Sequence, residues 1–171
     1  VVGTTDCETG EAVYFDKGTY SEDMLTILRA SSSLPLFAPE VSFKGKFLLD
    51  GGIADPIPIK KSVRDGNKKN IVVLTKNTGY IARPSNLNWF AMRKYKNYTG
   101  LLRTIKNHHT IYNETVRYLE EEEEKGNIVI IRPMQKLDVS SIGRNRRKLE
   151  KLYHQGYAEA KKAYRKLKEL L

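Results

Sequence analysis

Asp50, followed at once by Gly51 and Gly52, is where this chain combines a titratable side chain with the backbone freedom that chemistry beside a carboxylate requires. The apolar run Phe47, Leu48, Leu49 reads as a strand and sets Asp50 at its end. Two glycines in succession predict a turn whose main chain takes conformations barred to other residues and passes close to a substrate or a second catalytic group. Pro56 and Pro58 forbid a simple continuation of the strand. Taken alone, the tripeptide reads first as an ordinary acidic turn between two elements. The competing reading is a carboxylate held on a sharp turn, where it could orient or accept a proton.

Other residues with chemical capacity are less well placed. Ser31, Ser32 and Ser33 lie in A-S-S-S-L-P, without the flanking glycines of a strained nucleophile turn, and read as a polar helix end stopped by Pro35. Asp55 is the nearest rival acid, but a position just before Pro56 suits a turn. His108 and His109 are adjacent and so face different sides of a helix, with His154 far along the chain; this is not the spacing of zinc ligands. All three read as surface or half-buried helix residues. Glu120 to Glu124 read as the exposed end of a helix, because no histidine or second carboxylate cluster is spaced with them. Cys7 stands among acidic neighbours that disfavour a thiolate, so it reads as a structural or incidental residue. No metal site and no cofactor follows from these residues.

The elements that must position Asp50 alternate between strand and helix, which predicts an α/β layer architecture. Strands are expected at 1–5 and 12–15, joined through Thr9 and Gly10, and at 41–43 and 46–49, flanking a two-residue hairpin turn of Lys44 and Gly45. Ser21 is expected to cap a helix over 22–32 whose buried stripe is Met24, Leu25, Ile27 and Leu28. A short helix over about 57–65, ended by Gly66, leads to a strand at 71–75 rich enough in β-branched residues to be buried on both faces. Residues 77–97 read as an irregular connection with a short helix. Apolar residues at 98, 101, 102, 105, 112, 116 and 119 keep helical spacing and predict one long helix reaching Glu124 and ended by Gly126. A buried strand at 128–131, a loop at 133–144 and an amphipathic helix with a stripe of Leu149, Leu152, Tyr153, Tyr157, Ala160, Tyr164 and Leu167 complete the chain.

With 171 residues, 40% of them hydrophobic and 29% charged, the chain has the material for a sizeable core. No apolar run approaches the 18 or so residues of a membrane span, and a single cysteine excludes an internal disulfide, which is compatible with a cytoplasmic location. Charge is uneven: residues 144–171 hold ten Lys or Arg and three Glu, so this basic helix carries seven of the formal net +10. It reads either as a solvated helix face or as peripheral attraction to an anionic membrane surface or acidic partner. Nucleic acid is not expected, since the tyrosines are expected on the apolar stripe and leave no stacking platform.

The order of short motifs adds a further implication. T-D-C-E-T-G-E at 5–11, R-A-S-S-S-L-P at 29–35 and L-L-D-G-G at 48–52 fall in sequence, and the chain resembles the C-terminal half of the patatin-like phospholipase family over roughly 1–75. I-V-V-L-T (71–75), I-R-P (131–133) and L-Y-H-Q-G-Y-A-E-A (152–160) are similar to a bacterial branch of it. The resemblance implies a three-layer α/β/α fold of which residues 1–171 form the C-terminal part of a single domain. It also implies a serine lipid acyl hydrolase acting on a lipid or ester through a Ser-Asp dyad, with Asp50 as the catalytic aspartate that orients the serine and accepts its proton, and Gly51 and Gly52 shaping its turn. The family's G-x-S-x-G nucleophile and preceding glycine-rich oxyanion loop do not occur in these residues. The chain opens on Val1, directly into a strand-like run, as if cut from something longer, and it is expected to be inactive alone. A free carboxylate falls roughly 4 kcal/mol short of an efficient base at neutral pH. Burial beside the turn and an oxyanion hole are expected to supply the difference.

Overall fold

The computed structural model describes residues 1–84, 89–137 and 144–170, so part of the expected connection at 77–97, half of the expected loop at 133–144 and residue 171 lie outside the described residues. The chain divides into two compact units, one of residues 1–58 and 82–115, the other of 59–81 and 116–171.

The first unit is built on four antiparallel strands: β1 (Val2–Asp6), β2 (Ala12–Phe15), β3 (Val41–Phe43) and β4 (Lys46–Asp50), in the spatial order β2-β1-β4-β3. Two hairpin turns set the register. In the β1–β2 turn the Asp6 carboxylate accepts from the Glu8 N–H and Gly10 takes a φ of 74°. In the β3–β4 turn Lys44 and Gly45 both have positive φ, 47° and 76°, the combination that suits a two-residue hairpin. Register then pairs Thr4 with Asp50 and Thr5 with Leu49, so β1 runs beside the strand that ends at the D-G-G turn.

Side chains alternate across this sheet. Leu48 enters one core with Phe15, Val41, Ile27 and Ala30, the last two from helix α1 (Met24–Ser31). Leu49 enters another with Cys7, Ile53 and Leu101, together with Ala91 of helix α3 (Trp89–Lys94) and the following Tyr95. Full burial of each leucine stabilises the sheet by about 1.5 to 3 kcal/mol. Helix α1 departs from expectation in two respects. It starts later, with Asp23 at its N-terminus and no side-chain cap, so Ser21 does not cap it. Its buried residues are Ile27 and Ala30, while Leu25 and Leu28 are exposed. Periodicity identified an apolar helix but not the side that meets the sheet.

The second unit contains helix α2 (Ile59–Arg64) and the parallel pair β5 (Asn70–Val73) and β6 (Ile128–Ile131). It also holds the basic helix α5 (Arg146–Leu170) and the last turns of helix α4 (Thr99–Glu124), which begins in the first unit. Helix α5 packs on β6. Strand β6 is buried as expected, but β5 exposes Ile71 and Val73 and buries only Val72, so it is not covered on both faces among the described residues. The glutamates at 120–124 are more engaged than an exposed helix end. Glu120 pairs with Arg132, Glu122 holds Lys125 and Asn127, and Glu123 accepts from the Ile130 N–H and Lys166. On α5 the tyrosines contradict the expected stripe: Tyr153, Tyr157 and Tyr164 are exposed, while Leu152, Ala160 and Leu167 are half-buried. No helix among the described residues is long and apolar enough to cross a membrane.

Candidate active site

Asp50 closes β4, and its carboxylate is oriented by the turn it starts. Oδ1 accepts the Gly52 N–H at 2.7 Å, capping a single turn of 3-10 helix over Gly51–Ile53. Oδ2 has no hydrogen-bond partner among the described residues, and the side chain is half-buried. One oxygen is thus fixed and the other is open to accept a proton from a third group.

Backbone contacts hold the turn in place. The Asp50 N–H donates to the Ser33 carbonyl at 3.0 Å. Thr5, fully buried in β1, donates its hydroxyl to the Asp50 carbonyl at 2.7 Å and accepts from the Ala54 N–H at 3.2 Å, tying both ends of the turn together. The glycines serve a different purpose from the one expected. Neither Gly51 nor Gly52 takes a positive φ, so the turn does not use a conformation reserved for glycine. Gly51 is required by proximity: a Cβ there would lie 2.4 Å from the Gly3 carbonyl oxygen. A Cβ on Gly52 would stand 3.1 Å from Asp50 Oδ1, crowding the carboxylate it orients.

The rival groups are committed elsewhere. Asp55 accepts the Tyr14 hydroxyl, and its own N–H bonds to the Gly51 carbonyl, so it braces the turn. Ser33 is buried and donates its hydroxyl to the Arg29 carbonyl at 2.8 Å, and Ser32 donates to the Leu28 and Arg29 carbonyls. These are helix-end bonds, as the sequence implied. Cys7 is fully buried, and that burial, with Glu40 and Asp6 nearby, pushes its thiol up to about 12. Asp6 is almost wholly buried. Burial pushes its carboxyl up, but the Lys46 ammonium and the Glu8 and Thr9 N–H groups outweigh burial and hold it below the usual carboxylate range.

One contact escaped the sequence reading. His108, on α4, brings Nε2 to 3.0 Å from the Gly52 carbonyl oxygen. His109 bonds back to Lys106 on its own helix, and His154 is exposed on α5. The available signal was spacing: Gly100, Thr104 and His108 recur every four residues and share one helix face.

Two family models match this chain. Residues 3–62 match the patatin-like phospholipase model, a stretch that contains both hairpins and the D-G-G turn. Residues 98–171 match a domain of unknown function (DUF6363). The chain is also 30% identical over 129 residues to the uncharacterized protein YjjU of Escherichia coli (strain K12), an alignment covering 71% of this chain and 35% of that protein. It therefore spans about a third of that relative's length. The stretch that builds the Asp50 turn is similar to the patatin-like phospholipases, a family of lipid hydrolases.

Proposed function

We propose that this chain is the aspartate-bearing, C-terminal part of a patatin-like serine lipid acyl hydrolase, and that Asp50 is the proton-accepting aspartate of a Ser-Asp dyad whose serine lies upstream of Val1. The observation that carries this reading is the state of one carboxylate: Oδ1 is tied to the Gly52 N–H and Oδ2 is open. The alternation of Leu48 and Leu49 between two helix-lined cores supports a three-layer arrangement of the whole domain. The E. coli relative is longer than this chain, which leaves room in a protein of that kind for residues that this chain does not contain.

In this mechanism Oδ2 accepts the serine proton as the serine oxygen attacks the ester carbonyl. The proton passes to the departing alcohol, leaving an acyl-serine. Water then attacks that ester with Oδ2 again taking the proton, which returns to the serine as the acid leaves. Asp50 is only half-buried here, so exclusion of water falls to the upstream residues and the bound acyl chain. In the longer protein, Asp50→Asn is expected to lower p-nitrophenyl ester hydrolysis by at least 10³-fold with an unchanged melting temperature. A fluorophosphonate probe is expected to label one serine upstream of Val1. Full activity of the variant would end the assignment.

A second reading, a non-catalytic interaction domain on an anionic membrane, rests on the exposed face of α5. Tyr153, Tyr157 and Tyr164 stand in solvent, with Lys168 over the Tyr164 ring, a mixture suited to the headgroup level of a bilayer. It predicts co-sedimentation with phosphatidylserine vesicles that weakens steeply with salt. Sedimentation indifferent to lipid charge would remove it.

A further inference from the structure

We propose that His108 is a positioning residue for Asp50, supplied by the segment that matches the domain of unknown function; this rests on the reading of Asp50 as the dyad aspartate. The first turns of α4 lie along the two loops that frame the site, and they make contact through one row of residues. Gly100 sits so close to the β1–β2 turn that a Cβ would lie 2.3 Å from the Glu8 carbonyl oxygen. One turn on, the Thr104 hydroxyl donates to the Gly10 carbonyl at 2.8 Å. A further turn on, His108 Nε2 lies 3.0 Å from the Gly52 carbonyl. A carbonyl only accepts, so Nε2 carries the proton in this contact.

All three members of the row touch main chain rather than side chains. The helix therefore fixes the path of the T-D-C-E-T-G-E turn and of the D-G-G turn together. Gly52 is the link to chemistry, because its carbonyl is held by His108 while its N–H holds Asp50 Oδ1. If Gly52 shifts, the donor that aims the carboxylate shifts with it. His108 is not needed to dock the helix, since Leu101 is fully buried in the adjoining core and Gly100 and Thr104 make their own contacts. A displacement of about 1 Å in a catalytic group can cost about 10²-fold in rate.

The test uses the longer protein with its upstream residues and three variants. In His108→Gln the amide Nε2 reaches as far as the imidazole Nε2 and keeps the donor. In His108→Asn it falls short, and in His108→Ala it is gone. The expected result is a 10- to 100-fold fall in kcat for the alanine and asparagine variants, with KM within twofold and the melting temperature unchanged. The glutamine variant is expected to stay within threefold of wild type. Hydrogen exchange at the Gly52 amide is expected to quicken in the alanine variant and not in the glutamine variant. If Asp50→Asn is dead and His108→Ala keeps wild-type kcat, the positioning role is overturned while the dyad stands. If Asp50→Asn is fully active, the dyad fails and the positioning role falls with it. A glutamine variant as slow as alanine also overturns the proposal, since the imidazole would then be needed for more than its donor.

Discussion

Gly51 and Gly156 show two opposite uses of a missing side chain. At Gly51 the main chain presses against β1, and a methyl group would overlap the Gly3 backbone at 2.4 to 2.6 Å. At Gly156, inside α5, a Cβ would meet nothing within 4 Å, and the residue lines an open cavity of about 370 Å³ with Val73, Ile131 and Leu152. The contrast extends to the units that hold them. In the first, an antiparallel sheet sends β4 side chains into cores on both faces and presses the turn after Asp50 against β1. In the second, a two-stranded parallel pair leaves Ile71 and Val73 in solvent, although parallel sheets are ordinarily covered on both faces. A catalytic group needs the first kind of surroundings, because positional error translates directly into rate.

Gly51→Ala is expected to have the largest effect. The overlapping atoms are backbone atoms of a central strand and cannot swing aside, so the variant is expected to lose about 3 kcal/mol in urea titration. In the longer protein it is expected to lose ester hydrolysis as well. A variant of normal stability would mean that the turn can move away from β1, and the tight-packing account of the site would fail.

The Asp6–Lys46 pair belongs to the same tightly held unit and is expected to have a smaller effect. Asp6 is nearly buried at the start of the hairpin turn that Gly100 and Thr104 touch, whereas Lys46 is half exposed. Asp6 has its folded carboxyl held below the unfolded value of about 4. Its contribution is therefore complete above pH 4 and is lost as pH falls through the lower, folded value. Asp6→Asn is expected to cost about 1 to 2 kcal/mol at pH 7, toward the low end because solvent screens Lys46. Thermal melts from pH 7 down to pH 2.5 are expected to show a constant gap between wild type and variant above about pH 4 that narrows progressively as pH falls below it. A gap that stays constant across that range would show that the charge is not what stabilises the turn.

How far the sequence reveals these sites follows from the kind of contact each uses. The Lys44–Gly45 hairpin, β6 and the long α4 were legible, because turn chemistry and hydrophobic period act locally. Asp50 at a strand end was legible for the same reason. The side of α1 that packs was not: Leu25 is more apolar than Ala30, yet Ala30 is buried, since small size lets the helix approach the sheet. The tyrosines of α5 were misplaced because a helix with tyrosine and lysine on several sides has more than one apolar direction. The expected glycine conformations at 51 and 52 failed because a pair of glycines signals close approach as well as unusual φ, and one sequence does not separate them. His108 was hidden because its partner is a carbonyl oxygen, which every residue has.

Gly156→Ala gives the smallest effect and tests the other half of the contrast. A glycine in a helix interior costs about 1 kcal/mol relative to alanine, and here nothing stands where the methyl would go. The variant is expected to be more stable than wild type by about 0.5 to 1 kcal/mol, a rise of roughly 1 to 4 °C in melting temperature for a chain of this size. Ester hydrolysis in the longer protein is expected to be unaffected, since α5 carries no residue of the Asp50 turn. Read beside Gly51→Ala, the same added methyl then has opposite signs in the two units. A loss of stability at Gly156 would instead place another part of the protein against that face of α5, and the open cavity would belong to a surface that is covered in solution.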